Sequence, residues 1–170
     1  MLSAPSPKGG QMSDHLKPSA QKVQQALQAK GLACEVVQMD ETTRSAEDAA
    51  RAVGCNVGQI VKSLIFEGRN SHQPILVVVS GANRVNENTL KRHVSEPVKM
   101  ARADYVREKT GYVIGGVPPI GHRTLLNTFI DEDLLQYEEI WAAAGTPYAI
   151  FKLTPDQLKM ITNGTVISVK

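Results

Sequence analysis

The sequence predicts a mixed α/β domain of the α+β kind, and three observations predict it. Helix-periodic stretches with start and stop residues are interspersed with short β-branched runs. Two neighbouring apolar runs, Ile60 to Phe66 and Ile75 to Ser80, have strand length and are separated by a polar turn, Glu67 to Gln73. No internal repeat and no linker follow Pro18, so one domain is expected over residues 18–170, behind a flexible leader at 1–17.

The elements follow in order. Met1 to Asp14 carries Pro5, Pro7, Gly9 and Gly10 without an apolar h-region, which argues against a signal peptide, and Met12 is an alternative start. Val23, Ala26, Leu27 and Ala29 mark a helix from Ser19 to Gly31, with Gly31 suited to a left-handed end. A strand is expected over Ala33 to Met39. Ser45 then caps a second helix that carries Glu47 and Asp48 in its first turn and stops at Gly54. After the two central strands, helices at Asn86 to Val94 and Asp104 to Thr110 flank a strand at Val98 to Ala101. Beyond a glycine-rich loop come a strand at Leu125 to Ile130, a polar helix start at Asp131, a helical stretch around Glu138 to Ala144 and a strand at Tyr148 to Leu153. Thr154-Pro155 is an N-cap followed by a first-turn proline for a last helix to Ile161, and Asn163-Gly164 turns into a final strand, Thr165 to Val169.

Composition excludes several classes. The chain has 170 residues, 42% hydrophobic and 21% charged, enough to bury a core. Nineteen Lys plus Arg against seventeen Asp plus Glu give a net charge of +2, which excludes a polybasic binding mode. Cys34 and Cys55 lack metal-ligand spacing and are too few for a disulfide framework, so inert packing in a reducing cytoplasm is expected. No apolar run approaches the ~20 residues that span a bilayer.

Five features carry chemistry. The loop from Gly111 to Arg123, GYVIGGVPPIGHR, reads either as a tight crossover or as a backbone-lined pocket, since glycines let a ligand reach main-chain N–H groups. It lacks the phosphate-loop pattern. Lys62 lies in an apolar strand on one face with Ile60 and Leu64, either as an edge lysine that discourages aggregation or as a cation awaiting an anion. His122 is a structural histidine or a ligand reader, and Asp131 a helix cap or a ligand anchor. From Arg84 to Lys109, seven basic residues (Arg84, Lys91, Arg92, Lys99, Arg102, Arg107 and Lys109) outnumber the four acidic ones, as solvated helix faces or a nucleic-acid surface. Aromatics at 5% argue against a base-stacking platform.

Taken in order, the motifs Thr43 with Glu47-Asp48-Ala49-Ala50 and Val53-Gly54, Gln59 to Leu64, Ser80-Gly81, Thr110-Gly111-Tyr112, Gly115 to Gly121, and Ile130-Asp131 resemble one family. It is that of the YbaK-type aminoacyl-tRNA deacylases, free-standing relatives of the editing insertion domain of prolyl-tRNA synthetase. The resemblance covers the chain from Pro18 onward. It implies a central, partly barrel-like mixed sheet flanked by helices, no metal or organic cofactor, and hydrolysis of the ester on mischarged tRNA. It assigns Lys62 to the terminal adenosine and its phosphate, and the loop from Gly115 through Gly116 to Pro119 to the aminoacyl carbonyl. With Lys62, Gly115 and Gly116 as the catalytic set, the expected substrate-binding residues are Ser63, Ser80, Gly81, Thr110, Pro118, Pro119, Gly121, His122 and Asp131. Pro118-Pro119 and His122 depart from the serine and methionine of Cys-specific relatives, which places Ala, Ser or Thr ahead of Cys. The implied partners are the tRNA acceptor end and a synthetase or elongation factor, with no membrane. Competing classes are a non-catalytic accessory protein of the same fold and a hydrolase of free esters.

Overall fold

The computed structural model describes residues 16–170; the expected leader, and Met12 as an alternative start, lie outside these except for its last two residues. Leu16 is buried, so packing begins before the predicted boundary.

Among the described residues, five α-helices pack around one mixed sheet of eight strands. Helix α1 (Pro18–Ala29) buries Ala20, Val23 and Leu27, one apolar stripe at helical spacing. Strand β1 (Val36–Gln38) leads to α2 (Ala46–Val53), whose Ser45 Oγ accepts from the Asp48 N–H at 3.0 Å and whose end is Gly54 at φ 76°. A 3-10 turn then feeds β2 (Ile60–Gly68), which pairs with β3 (Pro74–Ser80). Helix α3 (Glu87–Val94), β4 (Val98–Met100) and α4 (Ala103–Thr110) follow, then the glycine loop and β5 (Asn127–Asp131). The chain ends with β6 (Ile140–Ala143), β7 (Ala149–Leu153), α5 (Pro155–Thr162) and β8 (Thr165–Ile167).

One sequence expectation is corrected and another is refined. The stretch around Glu138 to Ala144 is not helical: Ile140–Ala143 is a strand, parallel to β2. Ile140, Ala142 and Ala144 are buried while Trp141 and Ala143 are half-buried, a period of two, and this packing overrides the helix propensity of the alanines. Asp131 caps a helix as expected, its Oδ1 accepting from the Asp133 N–H at 2.9 Å, and the helix that follows, Glu132–Gln136, is of the 3-10 kind.

The strand order is β1-β7-β6-β2-β3-β5-β8, and no pairing joins β1 to β8 among the described residues. The two faces of β2 and β3 bury separate clusters. Val61, Ile65, Leu76 and Val78 pack with α1, whereas Phe66, Ile75, Val77 and Val79 pack with Leu90 of α3. One edge of β2 is paired with β3 from Val61 to Glu67. Its other edge is shared: β6 covers Ile60 and Val61, and β4 covers Phe66 to Gly68. Between them the sheet forks, and Lys62 to Ile65 face no strand.

Candidate active site at the fork in the sheet

A cavity of about 310 Å³ opens at this fork. Because no strand fills the gap, residues from both faces of β2, Lys62 and Leu64 as well as Ser63 and Ile65, line the same space. Thr43, Arg44 and Ser45 border it ahead of α2, Gly115 and Val117 come from the glycine loop, and Met100 and Ile114 are exposed apolar groups on its lining. No Cys, His, Asp or Glu side chain lines it among the described residues.

Lys62 is half-buried, and its Nζ donates to the Asn83 carbonyl at 3.0 Å. Asn83 is itself fixed, since its Nδ2 donates to Asp131 Oδ2 and to Asp133 Oδ2, each at 2.8 Å. Asp131 is fully buried and also accepts from the Ser80 N–H at 3.0 Å and the Asp133 N–H at 2.9 Å. The carboxylate therefore acts on the site at one remove, by holding the residue that holds Lys62. Desolvation lowers the Lys62 pKa below its ordinary value, helped by nearby Arg84 and opposed by Glu47 and Asp131. The ammonium is thus kept charged at a cost, with no carboxylate in ion-pair range among the described residues.

The glycine loop divides into a lining part and a framing part. Gly115 has φ +94° and lies against Arg44: a Cβ there would sit 2.7 Å from Arg44 Cγ. Gly116 is outside the lining; its N–H donates to the Val113 carbonyl at 3.0 Å, and a Cβ would sit 2.8 Å from Thr146 Cα. Its N–H is therefore occupied within the loop. Pro118 and Pro119 are buried, and His122 turns its Nε2 to the Pro118 carbonyl, which can only accept, so Nε2 carries the proton. Burial lowers the His122 pKa, with the Pro118 contact opposing. The Gly121 carbonyl accepts from the Tyr112 hydroxyl at 3.0 Å.

The remaining expected residues frame the site without lining it. Thr110 Oγ1 donates to the Val106 carbonyl at 2.7 Å, and Ser80 Oγ donates to the Gly58 carbonyl at 2.7 Å. Gly81 lets the chain pass the Val57 carbonyl, where no Cβ fits. Lys62, Ser63 and Gly115 are thus brought together at the cavity, and Ser80, Gly81, Thr110, Gly116, Pro118, Pro119, Gly121, His122 and Asp131 are not among its lining residues. Sequence reasoning missed Arg44 and Asn83, although each stands beside a motif it singled out, Thr43 and Ser80-Gly81. Cys34 and Cys55 lie outside this lining, and burial raises both thiol pKa values. Among the described residues no group of His, Cys, Asp and Glu is arranged to hold a metal, and no helix is long and apolar enough to cross a membrane.

The family model for the aminoacyl-tRNA editing domain matches residues 40–161. The Enterococcus faecalis protein EbsC, named as a candidate Cys-tRNA(Pro)/Cys-tRNA(Cys) deacylase, is 31% identical over 121 residues, 71% of this chain and 73% of its own. A proline–tRNA ligase of Thermosipho melanesiensis is 34% identical over 79 residues, which are 46% of this chain but 14% of the ligase. A crystal structure described as a candidate trans-editing enzyme for prolyl tRNA synthetase superposes with a TM-score of 0.86 at 48% identity, covering 91% of this chain and 98% of the other. This chain belongs to the aminoacyl-tRNA editing domain family. It is an aminoacyl-tRNA deacylase, and aminoacyl-tRNA is its class of substrate.

Proposed function

We propose that the enzyme removes a small amino acid, Ala, Ser or Thr, from mischarged tRNA, acting in trans on tRNA that a synthetase has released. The observation that carries this reading is the Lys62 ammonium beside an apolar cavity, held among the described residues by the Asn83 carbonyl alone. It supplies the positive charge that the phosphate of the terminal adenosine needs, and Arg44 and Arg84 are exposed cations close by. The Gly115 segment borders the same cavity and lets the ester approach main chain.

With no Cys, His, Asp or Glu side chain in the lining among the described residues, the attacking water is activated by the substrate, through the ribose 2′-hydroxyl next to the ester. Water adds to the acyl carbon and the bond to the ribose 3′-oxygen breaks. That oxygen takes up a proton, and free amino acid and deacylated tRNA leave. The apolar walls formed by Val61, Ile65, Ala101 and Val106 suit a short side chain. A Cys substrate is the second reading, favoured by the activity for which EbsC is named.

The test is release of amino acid from tRNAs charged with Ala, Ser, Thr, Cys or Pro, with wild type and Lys62→Ala side by side. Lysine-dependent release of Ala, Ser or Thr is expected; release of Cys alone selects the second reading, and no release on any overturns both.

A further inference from the structure

We infer that the open edge of β2 at Ser63 binds the amino-acid end of the substrate as a one-residue β-bridge, which rests on the aminoacyl-tRNA reading above. The direction of the backbone groups follows from two hydrogen bonds. The Ile60 carbonyl accepts from the Gly81 N–H at 2.7 Å, on the β3 side, whereas the Ile65 carbonyl accepts from the Ala101 N–H at 3.0 Å, on the opposite side. Strand groups alternate, so Ser63, two residues from Ile65, aims both its N–H and its C=O away from β3. There the pairing with β6 has ended at Val61 and that with β4 begins at Phe66.

The gap has room for one residue only. Lys62 and Leu64 direct their backbone groups toward β3, and the Ile65 carbonyl is already taken. Ser63 alone presents a complete N–H and C=O pair to the cavity, and no hydrogen bond to either is formed on that side among the described residues. Its side chain shows the same unmet demand: Ser63 Oγ is buried without a partner. Buried polar groups are nearly always satisfied, so the orphaned Oγ marks this residue as incomplete, and the unpaired N–H and C=O beside it are the two groups a ligand can bridge.

An α-amino acid ester in extended conformation is the matching fragment. Its α-ammonium donates to the Ser63 carbonyl, and its ester carbonyl oxygen accepts from the Ser63 N–H. That N–H also faces the oxygen on which negative charge develops when water adds to the acyl carbon. A peptide strand would need a longer open edge than this fork offers.

The experiment uses the full chain and two non-hydrolysable probes, 3′-alanylamino-3′-deoxyadenosine and its amine-free counterpart, 3′-propionylamino-3′-deoxyadenosine. Amide hydrogen exchange at Ser63, followed by NMR, is expected to slow at least tenfold when the alanyl probe saturates the protein. The propionyl probe is expected to bind at least tenfold more weakly. Unchanged exchange at Ser63 in the saturated complex, or equal affinity for the two probes, overturns the inference. Turnover of charged tRNA separates the two failures: release of amino acid with an unprotected Ser63 refutes the bridge alone, whereas no release on any tRNA refutes the reading beneath it as well.

Discussion

Replacing Lys62 with methionine should move activity and stability in opposite directions. Methionine keeps the length and apolar stem of the side chain and deletes the charge. In the native protein that charge is desolvated and lacks a carboxylate partner, so its removal relieves a penalty and leaves the melting temperature unchanged or slightly raised. Activity loses the contact between the ammonium and the substrate phosphate. A hydrogen bond to a charged group is worth about 1.5–3 kcal/mol, which converts to a fall in kcat/KM of about 10- to 150-fold. The loss should shrink at high salt, because the wild-type contact is screened there and the methionine variant has none to screen. The wild type should also lose activity on the alkaline side at a pH below 10.5, the ordinary lysine value, since desolvation lowers the pKa and the charged form is the active one. Single-turnover deacylation on charged tRNA, with spontaneous hydrolysis subtracted, and thermal melting measure the two quantities. A variant within threefold of wild-type kcat/KM, or one that melts several degrees lower, refutes the assignment of Lys62 as a substrate-facing cation.

Gly115→Ala places a Cβ against the Arg44 stem at a φ of +94°, so deacylation should fall tenfold or more with a loss of about 1–2 kcal/mol in stability; wild-type turnover would show that the loop does not shape the cavity. Asp131→Asn puts an amide where a carboxylate accepts three hydrogen bonds, so both melting temperature and kcat/KM should drop, and full activity in a destabilised variant would cut the link from Asp131 through Asn83 to Lys62. His122 titrates below 6.5, its unfolded value, because burial disfavours the cation. Between the two pKa values the unfolded chain binds more protons, so stability falls as pH falls through that window. His122→Gln should flatten this part of the melting-temperature profile while changing the ranking of amino acids little; an unflattened profile would show that another group carries the acid limb.

The strands and caps were legible because their signals are local. Ser45 and Thr154 accept the N–H three residues on, as their position before a helix requires. Lys62 was legible for a different reason, since a cation in an apolar run conflicts with its surroundings. The helix expected near Ala142 failed where local propensity and long-range pairing disagree. The fork was not legible at all, because it is set by where β6 and β4 stop along β2, a matter of register between segments about eighty and thirty residues away. For the same reason polar and glycine-rich motifs could not be sorted into ligand-facing and frame-building ones. Ser80 turns toward the Gly58 carbonyl, twenty-two residues away, while Thr110 and His122 turn inward to carbonyls four residues back, a choice that depends on what packs around them.

The one-residue bridge also bears on why such an enzyme would spare correctly charged prolyl-tRNA. A primary ammonium rotates about its bond to Cα and can aim a proton at the Ser63 carbonyl while the ester carbonyl stays in the strand plane. Proline is more restricted: its ring locks the torsion about N–Cα, Cδ replaces one ammonium hydrogen, and the two that remain have fixed directions. The same ring adds carbon beside the walls formed by Ala101 and Val106. Discrimination against proline then comes from geometry at the reacting end as well as from side-chain volume, which alone separates small apolar groups by only about 1–3 kcal/mol per methylene. Prolyl-tRNA should be hydrolysed at least a hundredfold more slowly than alanyl-tRNA on the same tRNA body. Its N-methylalanyl counterpart, a secondary amine without a ring, should fall between the two. If N-methylalanine and proline are rejected equally, the amine substitution and not the locked torsion is what the site reads. Hydrolysis of prolyl-tRNA within tenfold of alanyl-tRNA would leave the bridge without selective value.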